Sequence, residues 1–483
     1  VPPEGQAPAI RFGTDGWRGV IADDFTDANA AAVVQAAAAA WADEAGGRAQ
    51  ALVVGYDTRF NSRAIAHLAA DILAANGWRV MLADRPVPTP VVSYSVTVHG
   101  AAGGLVVTAS HNPARFNGIK LKGPFGGSAT PEFTGRVEAV LGRTPPRRGP
   151  AGGGRVETVD LLPAYLERLR SRVAVDRRPP RPLRIVGDAL HGSTNGLLAA
   201  LVPPEWGEVR TLHGAPDPLF GGLHPEPIPP HLDQLAAEVR TSGADLGLAM
   251  DGDGDRLGAL TSDGRYVTPH EVLTLLVRHL VEVRGWRGEV AKGFAMGVQV
   301  DRLCARLGLT LHVTPIGFKH IASLMRTRDI LIGGEESGGM GFRDHLPERD
   351  GLLSALLVLE AVVASGGSLE ALLRDMETEA GAAAYRRRDY TLSPDRGRAL
   401  MARLDAAPPE RIGPRPVTRR EALDGRKYWL GDGAWVLIRP SGTEPVLRVY
   451  VEAETAADVD QLHLAAEALV ERHVSPMSSM GRP

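Results

Sequence analysis

An α/β fold of several domains is what this sequence predicts, and three observations predict it. At 483 residues the chain exceeds what one hydrophobic core supports, so roughly two to four domains are expected. Apolar strand-like runs alternate with helical patterns, which implies sheets of parallel strands covered on both faces. Three times such a strand runs into a glycine-containing polar turn, in LVVGYDTR, LRIVGDALHGS and ILIGGEESGG. Sheets of this kind hold ligands at the C-terminal ends of their strands.

The elements follow in order. ALVVGY (51–56) and GWRVMLA (77–83) read as strands. The Ala-rich stretch from Asn29 to Ala45 and the segment AIAHLAADILAANG, closed by Gly77, read as helices. The Pro/Gly/Arg patch RTPPRRGPAGGG (143–154) reads as a linker. A helix near Leu161–Val173, a hinge at DRRPPRP (176–182) and the strand LRIVGD restart the pattern, and a third αβ stretch runs from about Thr268 to Gly381. From about Ala383, strands at YRRRDYTL, KYWLG, AWVLIRP and LRVYVEA precede a final helix in AADVDQLHLAAEALVERHV. The expected domains are 1–150, 155–264, 265–381 and 383–483.

Composition narrows the function. A hydrophobic share of 44% with 23% charged residues is that of an ordinary globular protein. No apolar run reaches the roughly 18 residues of a membrane span, and VPPEGQAPAI lacks the basic start and apolar stretch of a signal peptide. A single cysteine, Cys304, leaves no internal disulfide and reads as a buried, inert thiol. A cytoplasmic location is expected. The net charge of −3 provides no field for nucleic acid or a membrane, so an anionic ligand must meet local basic groups. Nearly all of those are arginine; the lysines are Lys120, Lys122, Lys292, Lys319 and Lys427. Lysine releases a proton when its pKa is pushed down, which arginine does not.

Five polar loops carry candidate chemistry. GLVVTASHNP (104–113) ends a strand in a turn set by Asn112-Pro113 and presents Ser110, with Lys120 and Lys122 ten residues on in NGIKLK. The adjacent His111 joins the candidate catalytic set. Adjacency alone makes it no hydrolase-style base, because neighbouring side chains diverge, and no G-x-S-x-G elbow is present. AMDGDGDRLG (249–258) alternates Asp251, Asp253 and Asp255 with glycines. A curled loop converges these carboxylates on one hard divalent cation, and without one they repel. An EF-hand is excluded, since its sixth and twelfth positions are Arg256 and Ser262. With oxygen ligands the expected occupant is Mg²⁺. WVLIRPSGTEP (435–445) combines Arg439, Ser441, Gly442 and Thr443 into a phosphate cradle. GGEESGG (333–339) offers Glu335 and Ser337 to the hydroxyls of a polyol, and RFGTDGWRG (11–19) offers Arg18 to an anion.

Together RFGTDGWRG, TASHNP with NGIK, DGDGDR, TPIGFKH, GGEESGG and RPSGTEP resemble the α-D-phosphohexomutase superfamily, the phosphoglucomutase/phosphomannomutase enzymes, in the family's order and across positions 11 to 445. The resemblance implies three related α/β domains with mixed sheets and a smaller C-terminal α+β domain around a central cleft. It implies a phosphoserine at Ser110, and Mg²⁺ held by Asp251, Asp253, Asp255 and the Ser110 phosphate. Glu335 and Ser337 would grip the sugar, the segment GFK would add Gly317 and Lys319, and Arg439, Ser441, Gly442 and Thr443 would hold the non-reacting phosphate. Arg18, Lys120 and Arg256 match positions near the transferring group. The implied reaction interconverts hexose 1-phosphate and hexose 6-phosphate through a hexose 1,6-bisphosphate, with glucose 1,6-bisphosphate as activator. Small-molecule sugar phosphates are the expected partners, in a monomer or dimer.

Charge makes the same demand. A phosphoserine carries about −1.5 to −2 near neutral pH, so a second phosphate approaches only where a cation and basic groups neutralise it. Lys120, expected among cations such as Mg²⁺ and Arg18, would have its pKa lowered and serve as the base. Gly339 stands where mannose- and glucosamine-type members often carry a histidine, and GEES, DHLPERDGL (344–352) and GFK look glucose-type. Glucose is therefore the expected sugar, with mannose or dual use as the alternative and glucosamine ranked behind them. A non-catalytic sugar-phosphate-binding protein is the reading from a different class.

Overall fold

The computed structural model describes residues 10–13, 15–44, 48–149, 153–431, 433–441, 445–474 and 478–479. The chain divides into two compact units, Val1–Trp286 with Gly317–Leu372, and Arg287–Ile316 with Leu373–Pro483.

The first unit contains two large mixed sheets. In one, the strands run in the order Trp17–Val20, Phe116–Lys122, Gly103–Val107, Ala51–Tyr56, Arg79–Ala83, Arg155–Val159. Its centre is parallel, and every residue of ALVVGY is buried, as a strand covered on both faces requires. Helix Asp27–Glu44 draws on the high helix propensity of its alanine run. Helix Ser62–Ala75 stops at Asn76, followed by Gly77 at a φ of 91°, a conformation glycine adopts without steric cost. The second sheet runs Tyr266–Val267, Leu257–Thr261, Leu246–Met250, Leu183–Asp188, Gly207–Leu212, and Val186, Leu235 and Leu260 share its core. Strands Ile330–Gly334 and Met340–Phe342 add an antiparallel pair, and helix Gly351–Ala364, buried from Gly351 to Val363, is capped by Asp350, whose side chain accepts from the Leu353 amide.

In the second unit, strands Glu289–Gly293 and Leu311–Thr314 pair in parallel, while Ala384–Thr391, Arg426–Trp429, Trp435–Pro440 and Val446–Ala453 form an antiparallel sheet packed by helix Ala456–Glu471. Among the described residues no single helix is long and apolar enough to cross a membrane.

One expected boundary is corrected. Strand Arg155–Val159, expected to open the second domain, pairs in register with Arg79–Ala83 in the first sheet. The division between the two compact units falls inside 265–381, with 287–316 and the residues from 373 onward in the second unit. Segment 287–316 is tied to the C-terminal sheet: the Val298 amide donates to Glu452, Lys427 donates to the Phe294 carbonyl, and Phe294 and Val298 share a core with Trp435 and Tyr450. Long-range pairing of this kind leaves no local sequence signal.

Candidate active site

Two hairpin-like connections build the centre of the site. The serine loop joins the antiparallel strands Gly103–Val107 and Phe116–Lys122, and the aspartate loop joins Leu246–Met250 and Leu257–Thr261. Ser110 is buried and sits at a φ of 53°, a left-handed conformation that a non-glycine residue holds only under constraint from its surroundings. The constraint is visible. Arg59, buried beside Asp57, donates to the carbonyls of Ser110, Asn112, Pro113 and Phe116 at 2.5–3.0 Å. Asp57 in turn accepts from Thr108 at 2.6 Å and Ser62 at 2.7 Å. Glycine lets the loops meet: a Cβ on Gly252 would lie 2.7 Å from the Ser110 carbonyl oxygen.

Ser110 Oγ donates to Asp251 at 2.9 Å. The three aspartates are fully buried, and an oxygen from each lies within 4.8 Å of the others. Asp253 Oδ1 and Asp255 Oδ1 are buried with no hydrogen-bond partner. Three converging carboxylates with orphaned oxygens fit a hard divalent cation. Burial and the neighbouring Asp255 and Asp253 push Asp251 well above the usual carboxylate range, whereas Asp253 is held low because Lys120 outweighs its burial.

Lys120 corrects an expectation. Its ammonium is surrounded by Asp15 at 2.8 Å, Asp253 at 2.8 Å and Asp255 at 3.0 Å. Burial works against the charged form, but the three carboxylates win and its pKa is raised. The cationic crowding that would have made it a base at neutral pH is replaced by carboxylates. A second departure concerns His111: the left-handed turn at Ser110 brings its Nδ1 to 3.4 Å from Ser110 Oγ, so the two side chains do not diverge, and its Nε2 lies 4.0 Å from Glu226.

The remaining predicted residues of the first unit gather around this centre. Arg18 donates to Asn112 at the end of the serine loop, and burial lowers its pKa. Arg256 is buried at 3.7–3.9 Å from Glu226, Asp251 and Asp255. The Leu257 amide donates to the Gly338 carbonyl at 3.1 Å, joining the aspartate loop to the turn that carries Glu335 and the half-buried Ser337. Glu335 accepts from the Gly317 amide at 2.7 Å, and burial raises its pKa. Lys319 lines a cavity of about 240 Å³ with Phe12, Asp15, Gly16 and Ser128. In the second unit Arg439 donates to Asp424 at 2.8 Å and the Ser441 amide to the Val446 carbonyl. Gly442 and Thr443 lie outside the described residues.

Several participants escaped sequence reading. Asp15 and Arg349 pair with each other, and Arg349 also reaches Asp255 at 2.7 Å. Lys122 is bound by Glu348 at 2.5 Å, and Thr89 donates to Asp253 at 2.5 Å. Asp57 and Arg59 stood in a strand–turn motif, GYDTR, and charged residues following a fully apolar strand were the available signal. His345 is bound to Asp350 at 2.8 Å within the scaffold of the capped helix.

Models of all four domains of one family match the chain: phosphoglucomutase/phosphomannomutase alpha/beta/alpha domain I over 9–147, domain II over 163–264, domain III over 268–379 and the C-terminal domain over 399–468. The chain belongs to the phosphoglucomutase/phosphomannomutase family. It is accordingly an enzyme of the α-D-phosphohexomutase superfamily with three α/β/α domains and a C-terminal domain. Among relatives of this family member, a "Probable phosphoglucosamine mutase" of Methanothermobacter thermautotrophicus is 32% identical over 94% of this chain and 96% of that protein. The phosphoglucosamine mutase of Frankia alni is 33% identical over 92% and 94%. A Thermus thermophilus structure assigned as a phosphomannomutase superposes with a TM-score of 0.85 at 36% identity, over 96% of this chain and all of that one. The curated names run against the expected glucose preference and toward the glucosamine reading that the sequence ranked behind it.

Proposed function

We propose that this enzyme interconverts the 1- and 6-phosphates of a gluco-configured hexose through a phosphoserine at Ser110, with glucosamine phosphate as the leading substrate. The observation that carries the chemistry is Ser110 Oγ at 2.9 Å from Asp251, inside a buried carboxylate triad with orphaned oxygens. The substrate ranking rests on the relatives' names; glucose is the second reading, favoured by Gly339 in the loop GGEESGG.

Asp251, Asp253 and Asp255 would hold Mg²⁺, which when bound supplies positive charge against the phosphoryl oxygens. In each half-reaction the phosphorus–oxygen bond to Ser110 Oγ breaks as one to a sugar hydroxyl forms. That hydroxyl's proton passes to a base while the departing Ser110 oxygen takes one up; in the reverse transfer from the other end of the bisphosphate, Ser110 gives up its proton, the departing sugar oxygen takes one, and phosphoserine is restored. Glucose 1,6-bisphosphate would charge Ser110 by the same transfer. Lys120 stays protonated and neutralises charge, with Arg18 and Arg256, around the transferring group. We assign the base to His111, since imidazole takes protons near neutral pH and its Nδ1 stands 3.4 Å from Ser110 Oγ. Glu335, with Ser337, Gly317 and Lys319, would orient the sugar, and Arg439 and the loop after it would bind the second phosphate.

The test follows phosphorus NMR of purified protein with Mg²⁺ and a trace of the matching hexose 1,6-bisphosphate. Glucosamine, glucose and mannose 1-phosphates are supplied in turn. Conversion of glucosamine 1-phosphate fastest, lost in Ser110→Ala, is the expected result. Faster glucose conversion selects the second reading, and release of inorganic phosphate without either 6-phosphate overturns the mutase.

A further inference from the structure

The segment between the short helix Phe220–Gly222 and helix Asp233–Ser242 reads LHPEPIPPHL, with prolines at 225, 227, 229 and 230. Proline fixes backbone φ, so the side chains between the prolines are held with little conformational freedom to lose on binding. His224 Nδ1 lies 3.1 Å from His231 Nε2, with the ring planes at 76°. A ligand atom from each of these histidines and a Glu226 carboxylate oxygen fall within 4.8 Å of one another. All three side chains are partly buried.

We propose that His224, Glu226 and His231 form a second cation site, selective for a borderline transition ion of the Zn²⁺ class and distinct from the aspartate triad. Two imidazoles and one carboxylate suit Zn²⁺, whereas three carboxylates suit a hard ion such as Mg²⁺. The donor nitrogens already stand about as far apart as two ligands on one tetrahedral ion with bonds of about 2.0–2.1 Å. The site is joined to the catalytic centre. The Gly252 amide of the aspartate loop donates to the Pro225 carbonyl at 3.2 Å, and Glu226 faces Arg256 at 3.7 Å and His111 at 4.0 Å. An ion that takes the Glu226 carboxylate withdraws it from both, so occupancy at this site controls the charge beside Ser110. Metal binding here does not depend on the mutase reading.

The test titrates Zn²⁺ by calorimetry into the full chain with Mg²⁺ in excess, and repeats it with Co²⁺ as a visible-absorption probe. Wild type is expected to bind one Zn²⁺ that Mg²⁺ does not displace, and to show the intense bands of a tetrahedral nitrogen-ligated Co²⁺. His224→Gln and His231→Gln should each weaken Zn²⁺ binding by about tenfold or more, while Asp253→Asn leaves it in place. Thermal melts guard against misfolding: Zn²⁺ should raise the wild-type melting temperature and leave both histidine variants, melted without metal at the wild-type temperature, unmoved. Zn²⁺ binding that survives both histidine changes, that is absent in wild type, or that disappears with Asp253→Asn overturns the proposal.

Discussion

Ser110 shows how a single residue's conformation is maintained by groups remote in sequence. Its left-handed backbone and the Arg59 clamp on four loop carbonyls form one device, so Arg59 acts as a positioning residue. Arg59→Lys keeps the charge but loses the planar fork, and it should cost about 2 kcal/mol in urea unfolding. If its role is positioning, kcat falls while KM stays near wild type; a merely structural role would leave kcat of the folded fraction unchanged. Asp251 shows the opposite relation between function and stability. Because its folded pKa is raised, the fold favours the protonated form, and its contribution to stability is lost as pH rises through that pKa. Asp251→Asn retains the Oδ1 acceptor for the amides of Asp255 and Arg256. It should therefore melt above wild type in EDTA at neutral pH while losing Mg²⁺ binding and turnover. A lower melting temperature in EDTA would show that the carboxylate contributes more than its repulsion costs. The lysines are also explained by their surroundings: Lys120, Lys122, Lys292 and Lys427 are buried, and Lys427, pushed down to about 7 by burial, lies 3.8 Å from the Trp435 ring centroid.

At the scale of elements, caps and buried polar groups decide what each helix contributes. Asp350 caps helix Gly351–Ala364 and also accepts from Tyr165 at 2.9 Å. The first residue of that helix, Gly351, donates to the Gly254 carbonyl of the aspartate loop. Asp350→Ala should cost about 2–3 kcal/mol in urea unfolding and lower Mg²⁺ affinity, through loss of a cap and of a buried acceptor. In helix Ala456–Glu471, His463 is buried against the Arg386 carbonyl, and burial takes its pKa down to about 4. The unfolded chain binds this proton near pH 6.5 and the folded chain does not, so stability falls as pH drops from about 6.5 toward 4. The loss is on the order of 3 kcal/mol. Comparing acid unfolding of wild type with His463→Gln checks it, since the variant's curve should flatten in that window.

For the whole molecule, the aspartate triad links folding to metal. An ion bound only by the folded chain stabilises it by about 2.7 kcal/mol at a hundredfold excess over Kd. Protonating the high-pKa Asp251 competes with the ion, so the Mg²⁺-induced rise in melting temperature should shrink as pH is lowered. A rise independent of pH would place the ion away from Asp251.

Much of this site was legible in linear order, because its parts are loops. Each of TASHNP, DGDGDR and GGEESGG concentrates side chains and glycines whose chemistry reads without knowledge of the fold, and helix and strand patterns around them follow from local periodicity. The sequence by itself therefore determined the α/β class, the candidate nucleophile and the acidic triad. Only the tertiary structure decided what surrounds each charge: that Lys120 faces three carboxylates, that Arg59 grips the serine loop, that strand Arg155–Val159 completes the first sheet, and that His224 meets His231. The reason is range. Propensity and turn chemistry act over a few residues, whereas a pKa is set by whichever charges the folded chain brings within a few ångströms, and those come from segments up to hundreds of residues apart.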